Sequence, residues 1–328
     1  MERLIVYAVW HNDENIRAAS RSGGIFTALS DALLARGGVV YGCVLDDAFR
    51  AIHKRTESAG GRNRMRGSKY IQSHMGDTLK DVENDLKNGR EVLFSGTSCQ
   101  VTGLREYLSA RDVTCENLIC VDIVCHGVPS PKVWNAYLKW QSDRAKSKII
   151  NVDFRNKADY GWRAHYETLY MADGKKVTSQ VFTILFYRHN ILRPSCYNCK
   201  WKCVIHPGDI TIADYWGIEK AAPEFDDDKG TSMVFVNSEK GNALFESVKK
   251  DLHWKQTQLV YDDLQTPLKE PFAAPDSREC FWKDFIRKDF DSIAKQYGEF
   301  GIKYRIYKFA RKQVGRAKRL VKKLVITK

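Results

Sequence analysis

The 328-residue sequence predicts an α/β fold with a mostly parallel sheet core, an α+β second half and a basic C-terminal helix. Three observations carry this. With 43% hydrophobic residues the chain can close an ordinary core, which excludes global disorder. The first half alternates short apolar runs with helical patterns, as strand–helix units do. From about residue 149 the apolar runs follow one another directly, with a hairpin turn at Asp173-Gly174.

The run 3–10 reads as the first strand, because it is apolar and ends where His11-Asn12-Asp13-Glu14 turns polar. Ile25, Leu29, Leu33 and Leu34 share one helical face, and Gly37-Gly38 stops that helix. Residues 39–45 form the next strand, the stretch 50–75 is expected to be extended, and 77–87 is a helix ended by Asn88-Gly89. Strands at 91–95 and 118–124 each run into a cysteine-bearing turn, at Cys99 and Cys125, before helices that begin near Gln100 and Pro131. Further strands are expected at 152–154, 165–171, 176–178, 209–214 and 232–237, with loop-rich chain over 255–280.

The net charge of +13 suggests a polyanion binder, but its distribution does not. Eleven of the 53 Lys and Arg lie in residues 303–328, where there is no acidic residue, so the body is almost neutral. A specific nucleic-acid protein spreads its basic residues over a folded face, and that class is excluded. Tyr307, Ala310, Val314, Ala317, Val321 and Leu324 recur at spacings of three and four, placing one apolar stripe on an otherwise basic helix. Such a helix suits an anionic membrane surface. No stretch approaches the roughly 18–20 uncharged residues of a membrane span, and no secretory signal opens the chain. Nine cysteines without that signal point to metal or redox use in the cytoplasm.

The strongest chemical motif is Cys196-Tyr197-Asn198-Cys199, with Cys203 and His206 close behind. Two readings stand. Cys196, Cys199, Cys203 and His206 could make a zinc site by themselves, or Cys196 and Cys199 could be half of an iron–sulfur ligand set completed from distant loops. Cys99 and Cys125 follow neighbouring strands, and loops at strand carboxyl ends gather on one edge of an α/β sheet, where ligands bind. Ser20-Arg21-Ser22-Gly23-Gly24 before a helix is a candidate phosphate cradle, and Gly67-Ser68-Lys69-Tyr70 offers a cation, a hydroxyl and a ring to a nucleotide.

Taken in order, these two segments, Phe94-Ser95-Gly96-Thr97-Ser98-Cys99-Gln100-Val101, Cys125-His126-Gly127-Val128-Pro129-Ser130, Cys196-Tyr197-Asn198-Cys199 and Asp209-Ile210-Thr211-Ile212-Ala213-Asp214-Tyr215-Trp216-Gly217 resemble the beta-subunit family of the deazaflavin (coenzyme F-420) hydrogenases and dehydrogenases. The resemblance spans roughly residues 5–240. It implies an oxidoreductase with FAD and a 4Fe-4S cluster, passing electrons to an acceptor or small-molecule substrate that the sequence does not name. It also implies the ligands Cys99, Cys125, Cys196 and Cys199, with Cys203 as a substitute. The FAD site would comprise Ser20, Arg21, Ser22, Gly23, Gly24, Gly67, Ser68, Lys69, Tyr70, Gln72, Thr97 and Gln100, and His126 and Asp214 are the acid/base candidates.

Residues 1–88 are then an N-terminal flavin-binding part and 89–255 a part carrying the cysteine cluster. Residues 256–302 form an extension and 303–328 the basic tail. Two departures matter. The ferredoxin-like CxxCxxCxxxCP segment of many relatives is missing, so electrons are expected from a separate ferredoxin-like partner. Position 98 is Ser where the family commonly has Pro. Short bacterial relatives resemble enzymes of surface-polysaccharide synthesis. That setting suits a cytoplasmic protein docked on the inner membrane surface through its tail.

Overall fold

The structure, a computed structural model, describes residues 4–259 and 261–302, together with 304 and 306. The amphipathic tail expected at 303–328 therefore lies outside the described residues, apart from those last two. Among the described residues the strands are β1 (Leu4–His11), β2 (Val39–Leu45), β3 (Ala51–Thr56), β4 (Val92–Thr97), β5 (Leu118–Ile123), β6 (Ile149–Asp153), β7 (Glu167–Met171), β8 (Lys176–Ser179), β9 (Ile210–Asp214), β10 (Ser232–Val236) and β11 (Leu252–Leu259).

Eight of them make the main sheet, in the order β11-β1-β10-β9-β5-β4-β2-β3. Its centre, β2, β4, β5 and β9, is parallel, while β1, β3, β10 and β11 pair antiparallel at the flanks. The sheet takes strands from both sides of the 88/89 boundary, and β11 crosses the 255/256 boundary. β6, β7 and β8 form a separate antiparallel sheet.

Both faces of the main sheet are covered. On one, Ile25, Leu29 and Leu33 of the helix Ile25–Ala35 pack with Leu244 and Phe245 over Val40, Leu93 and Val121. On the other, Val101, Leu104 and Leu108, one face of the helix Ser98–Ser109, meet Val82 and Leu86 over Phe94 and Cys120. A third core joins the small sheet to Trp134 and Tyr137 of the helix Pro131–Ala145.

The structure differs from the sequence reading in several places. The stretch expected to be extended over 50–75 holds β3 and a short helix, Ala59–Asn63, before it becomes irregular. The segment 255–280 contains the end of β11 and the start of a helix, Ser277–Arg287, and a second helix follows at Phe290–Tyr297. β11 escapes periodicity because it is an edge strand with four consecutive exposed residues, His253 to Gln256. The helix Val181–Tyr187 was also unforeseen: its run VFTILFY is β-branched and aromatic, and packing overrides that preference.

Candidate functional site

The carboxyl ends of the parallel strands β4, β5 and β9 face one cavity of about 750 Å³. That lies within the roughly 300–1,000 Å³ of ordinary ligand sites. The parallel topology explains the meeting: each strand delivers its following turn to the same edge. Ser20, Arg21, Ser22 and Gly24 line the cavity on one side, and Gly67, Ser68, Lys69, Tyr70 and Gln72 on another. Thr97, Cys99, Gln100, Cys125, His126 and Asp214 complete the set of expected residues on its wall.

Gly23 does not line the cavity. A Cβ there would stand 2.1 Å from the Val9 carbonyl oxygen, while its N–H donates to Ser232 Oγ at 3.0 Å. It is the point where the Ser/Gly segment is pressed onto β1 and β10. Gly24, at φ +95°, then turns the chain into the helix Ile25–Ala35, a conformation that glycine adopts without steric cost.

The Thr97 turn is held by a chain of hydrogen bonds. Thr97 N–H donates to Gln100 Oε1 (3.0 Å) and Gln100 Nε2 donates to Ser73 Oγ (2.8 Å). His53 Nδ1 accepts from that hydroxyl (3.0 Å), and His53 Nε2 donates to the Ser95 carbonyl (3.1 Å). Lys69 is not a free cation. Its Nζ donates to the carbonyls of Arg64, Met65 and Arg66 at 2.8–3.0 Å, and burial brings its pKa down to about 8. It fastens the loop after the helix Ala59–Asn63 against the cavity.

Asp214 is an ion-pair centre. Its Oδ2 lies 2.9 Å from Arg155 Nη1 and 3.7 Å from Arg21 Nε, and its Oδ1 accepts from Trp162 Nε1 at 3.1 Å. Burial pushes its pKa up, but Arg21, Arg155 and the indole N–H more than reverse this, leaving it below the usual carboxylate range. Arg21 Nε and His165 Nδ1 are buried without a hydrogen-bond partner among the described residues, and both side chains line the cavity. Buried polar atoms of this kind call for a polar ligand.

His126 Nε2 meets His189 Nε2 at 2.9 Å, and both rings pack at 4.2 Å on Phe272. Burial first, then His189 and Lys202, brings His126 down to about 3. Burial likewise brings His53 and His165 to about 4. These histidines are neutral in the folded chain and take up protons more readily when unfolded. Stability is therefore present above pH ~6.5 and is lost as pH falls toward the folded values. His53 alone should remove about 2 kcal/mol between pH 6.5 and 5. Urea unfolding at the two pH values checks this; equal midpoints would contradict it.

The cysteines form one neighbourhood. Burial pushes Cys125 up to about 12, with Cys196 and Cys99 adding to it. Cys196 is raised by burial and then by Cys199 and Cys99. Cys203 faces its own loop, 3.2 Å from the Ile205 carbonyl. Among the described residues no three metal-ligating side chains stand close enough to hold one ion. In the histidine of the zinc reading, His206, Nδ1 lies 2.8 Å from Asp122 Oδ2, and Nε2 is buried without a hydrogen-bond partner among the described residues.

Asp122, fully buried, also accepts from Ser98 Oγ (2.7 Å) and Thr211 Oγ1 (2.6 Å). One carboxylate thus joins the turn of Cys99, the strand leading to Cys125 and the loop after Cys203. Ser98 supplies to this knot a hydroxyl that donates to the carboxylate.

Sequence reasoning missed Arg66, Arg155, His53 and His165, all on the cavity wall. Arg66 forms no ion pair among the described residues and donates to Thr27 Oγ1 (3.0 Å) in the first turn of the helix Ile25–Ala35. No spacing marks these residues, because loops and antiparallel strands bring them in. The apolar strand β5 interrupted by Asp122 was the one readable signal of the knot.

The comparisons with known proteins agree with this architecture. No curated protein matches the chain in sequence. The structure is similar to a chain of the F420-reducing NiFe hydrogenase complex from Methanosarcina barkeri, with a TM-score of 0.54 at 20% identity over 77% of this chain and 81% of that one. At that identity the likeness speaks for the fold. The family model that describes the carboxyl-terminal part of the coenzyme F420 hydrogenase/dehydrogenase beta subunit matches residues 89–259. That is just over half of the chain, and it carries β4, β5, β9 and most of the cysteines. The chain therefore belongs to the coenzyme F420 hydrogenase/dehydrogenase beta-subunit family of oxidoreductases.

Proposed function

We propose that the protein is a flavin- and iron–sulfur-dependent oxidoreductase, with FAD in the 750 Å³ cavity and a 4Fe-4S cluster on Cys99, Cys125, Cys196 and Cys199. The observation that carries this is the sharing of one wall. Cys99 and Cys125 line the cavity that the Ser/Gly segments also line, and Cys196 and Cys199 sit within electrostatic reach of them. Four thiolates suit such a cluster. The unpartnered Arg21 Nε and His165 Nδ1, and Arg66 beside a helix N-terminus, suit a dinucleotide with polar ring edges and phosphates. The bound pair would let two-electron flavin chemistry meet one-electron carriers.

The chain's own residues divide the remaining work. Asp214 orients Arg21 and Arg155 at the cavity rather than moving a proton. His126, neutral and bonded to His189, can pass a proton at Nε2. Gly67, Ser68, Tyr70 and Gln72 line the same cavity and would help to hold the FAD. Electrons would come from a separate ferredoxin-like partner, in keeping with a structural neighbour that is itself part of a hydrogenase complex. The small-molecule substrate belongs to surface-polysaccharide metabolism on this reading. The setting would be cytoplasmic, with the basic segment 303–328 on an anionic membrane surface. Among the described residues no helix is long and apolar enough to cross a membrane.

The test is an absorption spectrum of anaerobically purified protein with metal analysis. Flavin bands, a broad sulfur-to-iron shoulder and about four irons per chain are expected. C125S and C196S should each lose the iron, and C203S should keep it. A colourless protein holding about one zinc per chain would overturn the proposal.

A further inference from the structure

Among the described residues four cationic side chains are almost completely buried: Arg17, Arg62, Arg155 and Lys202. The three arginines each have a carboxylate, in Asp227, Asp31 and Asp214. Lys202, 5% exposed, forms no ion pair among the described residues. Two less buried lysines without an acid partner are caged, Lys69 by three carbonyls and Lys157 by three others. Lys202 Nζ has one, the carbonyl of Cys125, and its ammonium otherwise lies 5.0 Å from the Phe272 ring. Its backbone N–H donates to the Cys199 carbonyl at 3.2 Å. The thiols of Cys125, Cys199 and Cys196 lie within electrostatic range of it, as do His126 and His189.

A buried ammonium without an anion is costly and does not persist uncompensated. The place is therefore built for negative charge, and the candidates are the sulfurs around it. We infer that Lys202 is the fixed counter-charge of the thiolate constellation: it offsets the charge of a cluster held there and keeps its reduction potential up. This rests on the cluster reading. When a one-electron donor reduces such a cluster, the electron stays on it and adds one negative charge. A nearby cation therefore stabilises the reduced form more than the oxidised one, and low-dielectric surroundings enlarge the difference. Lys202 is on this argument a positioning and tuning residue, touching the ligand-bearing backbone rather than a substrate.

The full-length protein, K202M, K202Q and K202R would be reconstituted anaerobically with iron and sulfide and assayed for iron. Each would then be titrated with dithionite and mediator dyes while the reduced cluster is followed by electron paramagnetic resonance. K202M and K202Q are expected to move the midpoint to more negative potential at unchanged iron content, while K202R stays with the wild type. Iron lost from K202M but restored in K202R would also support the counter-charge. Iron lost from all three variants, or K202M and K202Q with wild-type potential and full iron, would overturn it. Wild-type protein that takes up no iron would instead sink the cluster assignment, a failure visible before any variant is titrated.

Discussion

Asp214→Ala is expected to destabilise the protein by about 3–5 kcal/mol, the usual cost of removing one partner from a buried ion pair. The carboxylate holds Arg155, whose side chain is 3% exposed, and Arg21, at 9%. Those guanidiniums in turn grip the carbonyls of Arg155 (3.3 Å, from Arg21) and Trp162 (3.0 Å, from Arg155). Without Asp214 two cations stay buried with no anion, and the loop that carries His165 loses its tie to the end of β9. Asp214→Asn, which keeps an acceptor for the Trp162 indole, should lose less. Urea unfolding of the two variants measures the difference, and retention of the proposed flavin on gel filtration reads the cavity. An Asp214→Ala midpoint equal to the wild type would show that the network carries no such energy.

Asp122→Ala should rank next, at about 3 kcal/mol or more. It leaves the Ser98 and Thr211 hydroxyls and His206 Nδ1 buried without their acceptor, and each unsatisfied group costs about 1–3 kcal/mol. The consequence for the site is larger than the stability loss, because Ser98 adjoins Cys99, Asp122 leads to Cys125 and His206 follows Cys203. On the proposed cluster assignment, loosening the knot should release iron from protein that remains folded. Asp122→Asn, isosteric and still an acceptor, should retain more. Circular dichroism with iron analysis separates folding from retention. Full iron in folded Asp122→Ala would show that the three segments hold their places without it.

Burial also explains which elements were legible in the sequence. Strands β4, β5, β9 and β10 are apolar runs bounded by turn residues, and such runs declare themselves without neighbours. β11 is half solvated and polar, and it becomes a strand only because β1 offers eight residues of backbone to pair with. In the sequence Asp214 is an acid/base candidate whose alternative is a strand-end cap, and its ion pair to a distant arginine is not legible there. That partner, Arg155, stands 59 positions earlier in the chain.

The α/β class, the Ser/Gly entry to the first long helix, and the turns that deliver Cys99 and Cys125 to one sheet edge are all written in the order of residues. Each depends on local periodicity or on the short reach of a turn. That Lys69 clasps a loop, that His206 Nδ1 pairs with Asp122, and that Lys202 has no acid partner among the described residues emerges only from the folded chain. Those roles depend on which carbonyl, carboxylate or sulfur lies within a few ångströms, and that is set by how distant segments pack.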